Sequence, residues 1–123
     1  YEMEQKYKVN GLFVAAIGIH ESNWGTSTIA QEKRNLFGYG SYDASAYDSS
    51  VTFESYRYGI ELVTKALAKY YLNEAGTIVN ENDVASGVYY NGPTIKGVNV
   101  RYASDQEWSN KVFEIMKALY NNL

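Results

Sequence analysis

The sequence predicts a mainly α-helical fold. Three apolar patterns carry that expectation: the unbroken run Leu12-Phe13-Val14-Ala15-Ala16-Ile17-Gly18-Ile19, the spacing of Ile60, Val63, Leu67 and Tyr70-Tyr71, and the stripe Trp108, Val112, Ile115 and Leu119. The last two recur at the intervals of one helix face, whereas the first is apolar all round and belongs to a helix buried on most sides. With 123 residues the chain is long enough to enclose such a helix without covalent staples, so residues 1–123 read as one domain.

Taken in order, residues 2–8 read as a short exposed helix ended by Val9-Asn10-Gly11. Asn10 is placed to N-cap the buried helix, which extends to about Ile19. Ser27 can cap a short helix over 28–33. From Asn35 to Ser50 the chain carries Gly38 and Gly40 among serines and aspartates, the composition of a loop, and a loop of that length in a small domain commonly has a function. Ser55 can cap the next helix, which closes near Gly76. Residues 77–103 hold the sole proline, Pro93, with Asn91-Gly92 and Gly97, and read as irregular with one short helix around Asp83. Ser104-Asp105-Gln106-Glu107 matches a capping box opening the C-terminal helix. Helical spacing by itself reaches no further than an α-helical globular domain.

Composition excludes several classes of function. A net charge of −3 with no basic cluster argues against a nucleic-acid partner. Cysteine is absent and His20 is the single histidine, which removes disulfides, thiolate metal sites and a structural zinc centre but leaves the compartment open. The apolar run at 12–19 is too short to span a bilayer, and no leader pattern opens the chain. The start at Tyr1 reads as an excised domain or a processed chain. Thirteen tyrosines, two tryptophans and four phenylalanines make aromatic residues 15% of the chain. Their flat apolar faces and polar tips suit sugar rings, although core packing accounts for many of them equally well.

The segment His20-Glu21-Ser22-Asn23-Trp24-Gly25-Thr26-Ser27 places a carboxylate at the end of the buried helix. Poor hydration and a helix C-terminus both favour the protonated carboxyl, so Glu21 is expected to serve as a general acid. Were the helix to continue, Trp24 at i+3 would lie on the same face and wall it from water. A solvated surface glutamate is the plain rival, since charged residues are mostly exposed. His20, a neighbour along the helix, points about 100° away and reads as structural.

Around that segment stand Ile29-Ala30, Asn35-Leu36-Phe37-Gly38-Tyr39-Gly40, Tyr42-Asp43, Phe53-Glu54-Ser55, Gly59-Ile60 and Tyr102-Ala103-Ser104-Asp105 with Trp108. In this order and spacing they resemble the glucosaminidase domain of bacterial autolysins and phage endolysins, glycoside hydrolase family 73 of the lysozyme-like superfamily. The likeness covers roughly residues 8–119. It implies a two-lobed, mainly helical fold with a central loop or small β-lobe bordering a substrate groove. The implied activity is hydrolysis of the N-acetylglucosamine-β-1,4-N-acetylmuramic acid bond of peptidoglycan, with no metal or organic cofactor.

The same resemblance suggests where the chemistry sits. Glu21 takes the acid role, and Tyr102 lies beside the reacting sugar, where its phenol could position water or the substrate's acetamido group. For a second carboxylate, Asp43 ranks first because Gly40-x-Tyr42-Asp43 looks like a glycine-alanine-tyrosine-aspartate element of one family branch. Glu54 ranks second, then Asp48. A solvated loop charge competes with each. Trp24, Phe37, Tyr39 and Tyr42 are expected to line the groove and Asn35 to fix its loop. The expected partner is the peptidoglycan strand, with no nucleic acid and no membrane, and the expected state is a secreted or phage-encoded monomer acting on the cell wall. Rival readings are a muramidase or lytic transglycosylase, and a non-catalytic glycan-binding or phage tail module.

Overall fold

The structure is a computed structural model and describes residues 1–37, 51–81 and 83–123. Six α-helices are seen among these residues: α1 (Glu2–Tyr7), α2 (Gly11–Ser22), α3 (Thr28–Lys33), α4 (Tyr56–Ala66), α5 (Ile95–Tyr102) and α6 (Trp108–Asn121). A π-helical turn, Leu67–Tyr71, prolongs α4. An antiparallel hairpin of β1 (Ile78–Asn80) and β2 (Asp83–Val84) pairs Ile78 with Val84 and Asn80 with Asp83.

The helix starts have local causes. Asn10 Oδ1 accepts the Phe13 N–H at 3.1 Å, Ser27 Oγ that of Ala30 at 3.1 Å, and Ser55 Oγ that of Tyr58 at 3.0 Å. Each side chain satisfies one of the amide donors that a first helical turn leaves open. The central helix α2 runs three residues beyond Ile19 and packs chiefly on α6. Ala16, Ile17, Leu67, Val98, Trp108 and Val112 lie at the heart of one buried cluster.

Several expectations need correction. α1 is not simply exposed, because Met3 and Tyr7 are buried and the Tyr7 hydroxyl donates to Glu61 at 2.8 Å, pinning α1 to α4. The helix from Ser55 ends in the π turn, short of Gly76. The chain around Asp83 is a strand of the hairpin, held where Ala85 donates to the Thr77 carbonyl at 2.8 Å and buries its methyl. The stretch 77–103 also contains α5, capped by Thr94, whose Oγ1 accepts the Gly97 N–H at 3.0 Å. Gly97 is there because a Cβ at this position would collide with the Asn91 carbonyl. The capping box is displaced too: α6 starts at Trp108, and Asp105 Oδ1 accepts the Glu107 N–H at 2.9 Å ahead of it.

Candidate active site

Glu21 sits in the last turn of α2, and the sharp corner between α2 and α3 accounts for the composition of its motif. Ser22 is buried; its hydroxyl donates to the Gly18 carbonyl at 2.5 Å and accepts the Gly25 N–H at 2.8 Å. Asn23, Trp24 and Gly25 then adopt positive φ values of 51°, 59° and 77°. Such a conformation is costly for a side chain as large as indole and natural for glycine. The Ser27 N–H closes the turn on the Ser22 carbonyl at 3.0 Å, and Ser27 caps α3. Ser22, Gly25 and Ser27 thus shape the corner between the two helices, with the Glu21 carboxylate on its rim.

This corner overturns the expected surroundings of Glu21. The left-handed turn carries Trp24 away, leaving it 64% exposed, and Glu21 itself is exposed rather than dry. The tryptophan that meets it is Trp108, whose indole N–H donates to Glu21 Oε1 at 2.9 Å. Trp108 is buried. Its ring meets Phe13 edge-on at 6.3 Å and lies tilted against Tyr102 at 5.1 Å, so the donor is clamped in place.

Glu21 opens into a cleft of about 490 Å³ shared with His20, Phe37, Tyr71, Tyr102, Asp105 and Trp108. A larger, more apolar groove of about 580 Å³ lies among α1, α2 and α4 and takes in Trp24 and Leu36. Phe37 borders both, resting on α2 where Gly18 leaves room for its ring. Asn35 is buried: its Nδ2 donates to the Val51 carbonyl at 2.9 Å and its Oδ1 accepts the Phe37 N–H at 3.3 Å. With Phe53 N–H donating to the Lys33 carbonyl at 2.9 Å, these bonds tie the chain entering the central segment to the chain leaving it. Asn35 therefore spends its amide on the main chain. Glu54 is exposed next to the cap of α4 and outside the cleft lining. Tyr39, Tyr42, Asp43 and Asp48 lie outside the described residues.

Besides Trp108, read from the sequence only as part of an apolar stripe, and His20, read as structural, the cleft contains Tyr71 and Asp105, which the sequence reading did not assign to it. Tyr71 reaches it from the π turn, a feature that apolar spacing does not announce. Asp105 stands in the cleft as a carboxylate held below the usual range, first by the Lys111 ammonium at 2.7 Å and then by the Glu107 amide, with a smaller electrostatic contribution from His20. Its segment is stitched down by buried Asn99, which donates to the Asp105 carbonyl at 2.9 Å and accepts the Ser109 N–H at 2.9 Å. Among the described residues no group of three or more acidic or histidine side chains is arranged to hold a metal ion.

A mainly helical domain that presents a fixed glutamate in an open, tyrosine-walled cleft has the makings of a glycosidase. Residues 1–121 match the glucosaminidase family, described as mannosyl-glycoprotein endo-beta-N-acetylglucosaminidase. The chain belongs to that family of glycoside hydrolases. It is similar to two Streptococcus pneumoniae proteins, one from a serotype 4 strain, each bearing the name "Putative endo-beta-N-acetylglucosaminidase". Identity is 34% over 122 residues in both comparisons, covering 99% of this chain but only 17% and 16% of the relatives' length.

Proposed function

We propose that residues 1–123 form one catalytic domain that hydrolyses the N-acetylglucosamine-β-1,4-N-acetylmuramic acid bond of peptidoglycan, with Glu21 as general acid. The observation that carries this reading is the Glu21 carboxylate at the cleft, one oxygen engaged by the Trp108 indole. Because an N–H can only donate, a protonated Glu21 carries its hydrogen on Oε2, the oxygen with no partner among the described residues. That proton passes to the glycosidic oxygen as the bond to the anomeric carbon breaks, and the resulting carboxylate is then available to accept a proton from the attacking water.

The positive charge developing on the sugar needs an opposing group. The substrate's own acetamide, or a water placed by the Tyr102 phenol, is the group favoured in this reading: Tyr102 lines the cleft, Glu54 does not, and the carboxylate that does, Asp105, is already paired with Lys111. The family and the names of the two relatives support glycan hydrolysis. The working form in this reading is a secreted monomer that needs neither nucleic acid nor a membrane.

Borohydride reduction of digested cell walls tests the bond assignment. N-acetylglucosamine alditol is the expected product; muramic acid alditol would mean a muramidase, and anhydromuramic ends a lytic transglycosylase.

A further inference from the structure

The π-helical turn after α4 has a structural effect that the chemistry at Glu21 does not use. Its carbonyls accept hydrogen bonds from a distant segment: Ser86 and Gly87 N–H both donate to Lys69 O at 3.0 Å, and Tyr89 N–H donates to Tyr70 O at 2.8 Å. Gly87, at φ 63°, also packs against the chain just beyond the turn, where a Cβ would stand 2.7 Å from the Ala75 nitrogen. Residues 86–89 are thereby latched to the turn. Single π turns recur at functional sites because they redirect side chains in this way.

The redirected side chains are tyrosines. Tyr71 and Tyr89 stand with ring centroids 5.1 Å apart and planes tilted by 35°. Tyr71 also meets Tyr102 at 5.5 Å, and Tyr102 meets Trp108, the residue that holds Glu21. Tyr71 and Tyr102 line the Glu21 cleft, whereas Tyr89 lies outside that lining and is 39% exposed, beside Val88 at 63%. A row of aromatic rings therefore leads from the reacting carboxylate out to the surface. A purely structural tyrosine would gain by burying its ring, yet the latch holds this one partly in water.

We propose that Tyr71 and Tyr89 form a carbohydrate subsite outside the Glu21 cleft, where a more distant pyranose of the bound strand stacks its CH face on the rings and hydrogen-bonds to a phenol. The subsite rests on the reading of the cleft as a glycan-hydrolase site. Its consequence is a preference for longer strands.

The test uses β-1,4-linked oligosaccharides of alternating N-acetylglucosamine and N-acetylmuramic acid, graded in length and assayed by both hydrolysis and calorimetric binding, with the wild-type chain, Tyr89→Ala and Tyr89→Phe. Affinity and kcat/KM are expected to step up at the length that reaches the rings. Tyr89→Ala lowers the long-to-short ratio by about three- to tenfold, the scale of one aromatic contact, and Tyr89→Phe restores most of it. A ratio that Tyr89→Ala leaves unchanged, whether through no loss or an equal loss at every length, overturns the subsite while cleavage by the wild type keeps the hydrolase. Wild-type protein that cuts no oligosaccharide but binds long ones with a Tyr89-dependent gain keeps the subsite and removes the hydrolase.

Discussion

The indole nitrogen of Trp108 lies 2.9 Å from Glu21 Oε1, across 87 positions of sequence. One partner is buried and the other exposed, so the core itself aims the carboxylate. Replacing Trp108 by phenylalanine keeps an aromatic ring and removes the donor. The bond strengthens as the carboxyl gives up its proton and becomes charged, by about 1.5 kcal/mol, so kcat should fall about tenfold with KM little changed. Steady-state kinetics on soluble wall fragments, at a temperature where circular dichroism shows the variant folded, checks this; an unchanged kcat would leave the contact as packing alone.

Ser22 should matter to stability more than to substrate. Ser22→Ala removes a buried donor and acceptor together, leaving the Gly25 amide without that partner. The expected cost is about 1–3 kcal/mol, read by denaturant unfolding. A variant as stable as the wild type would show that the corner does not depend on this hydroxyl.

Asp105 gives a pH signature. Its carboxyl is held low in the folded chain by Lys111 and the Glu107 amide, so its contribution is fully present above the ordinary aspartate range and disappears as pH falls through the lowered value. The melting temperature of Asp105→Asn should lie below that of the wild type at neutral pH, and the two should converge below about pH 4. A gap that persists undiminished in acid would place the effect elsewhere, in the shape of the turn.

Much of the fold is legible in the chain because its signals are local. Asn10, Ser27 and Ser55 cap the helices that their positions announce, and the apolar stripes of α4 and α6 face the core. α5 is hidden because Gly97 and the Asn91-Gly92-Pro93 run lower helix propensity, while the glycine serves a backbone contact that only tertiary structure creates. The site shows the same division. Glu21 stands out from its neighbours, but helical extrapolation from Glu21 to Trp24 fails where the turn becomes left-handed. The contact with Trp108 depends on how α2 meets α6, and the presence of Tyr71 in the cleft on a π turn; neither leaves a periodic trace in the sequence.

The route past the second carboxylate separates by mutation. If the acetamide or a positioned water opposes the sugar charge, Asp43→Asn, Asp48→Asn and Glu54→Gln each retain measurable rate, and Tyr102→Phe costs more than any of them. Comparison of kcat/KM across the four variants decides it. One loop-carboxylate variant as inactive as a Glu21 variant, with unchanged thermal stability, would restore a carboxylate partner.

The proposed mechanism turns on the proton of Glu21, and lysis of purified cell walls by Glu21→Gln measures it most directly. Glutamine keeps the shape of the side chain, and its carbonyl can still accept from Trp108, but it cannot act as the acid. The predicted result is a loss of at least about a hundredfold in rate with the melting temperature nearly unchanged. Wall lysis near the wild-type rate by the folded variant would contradict the mechanism.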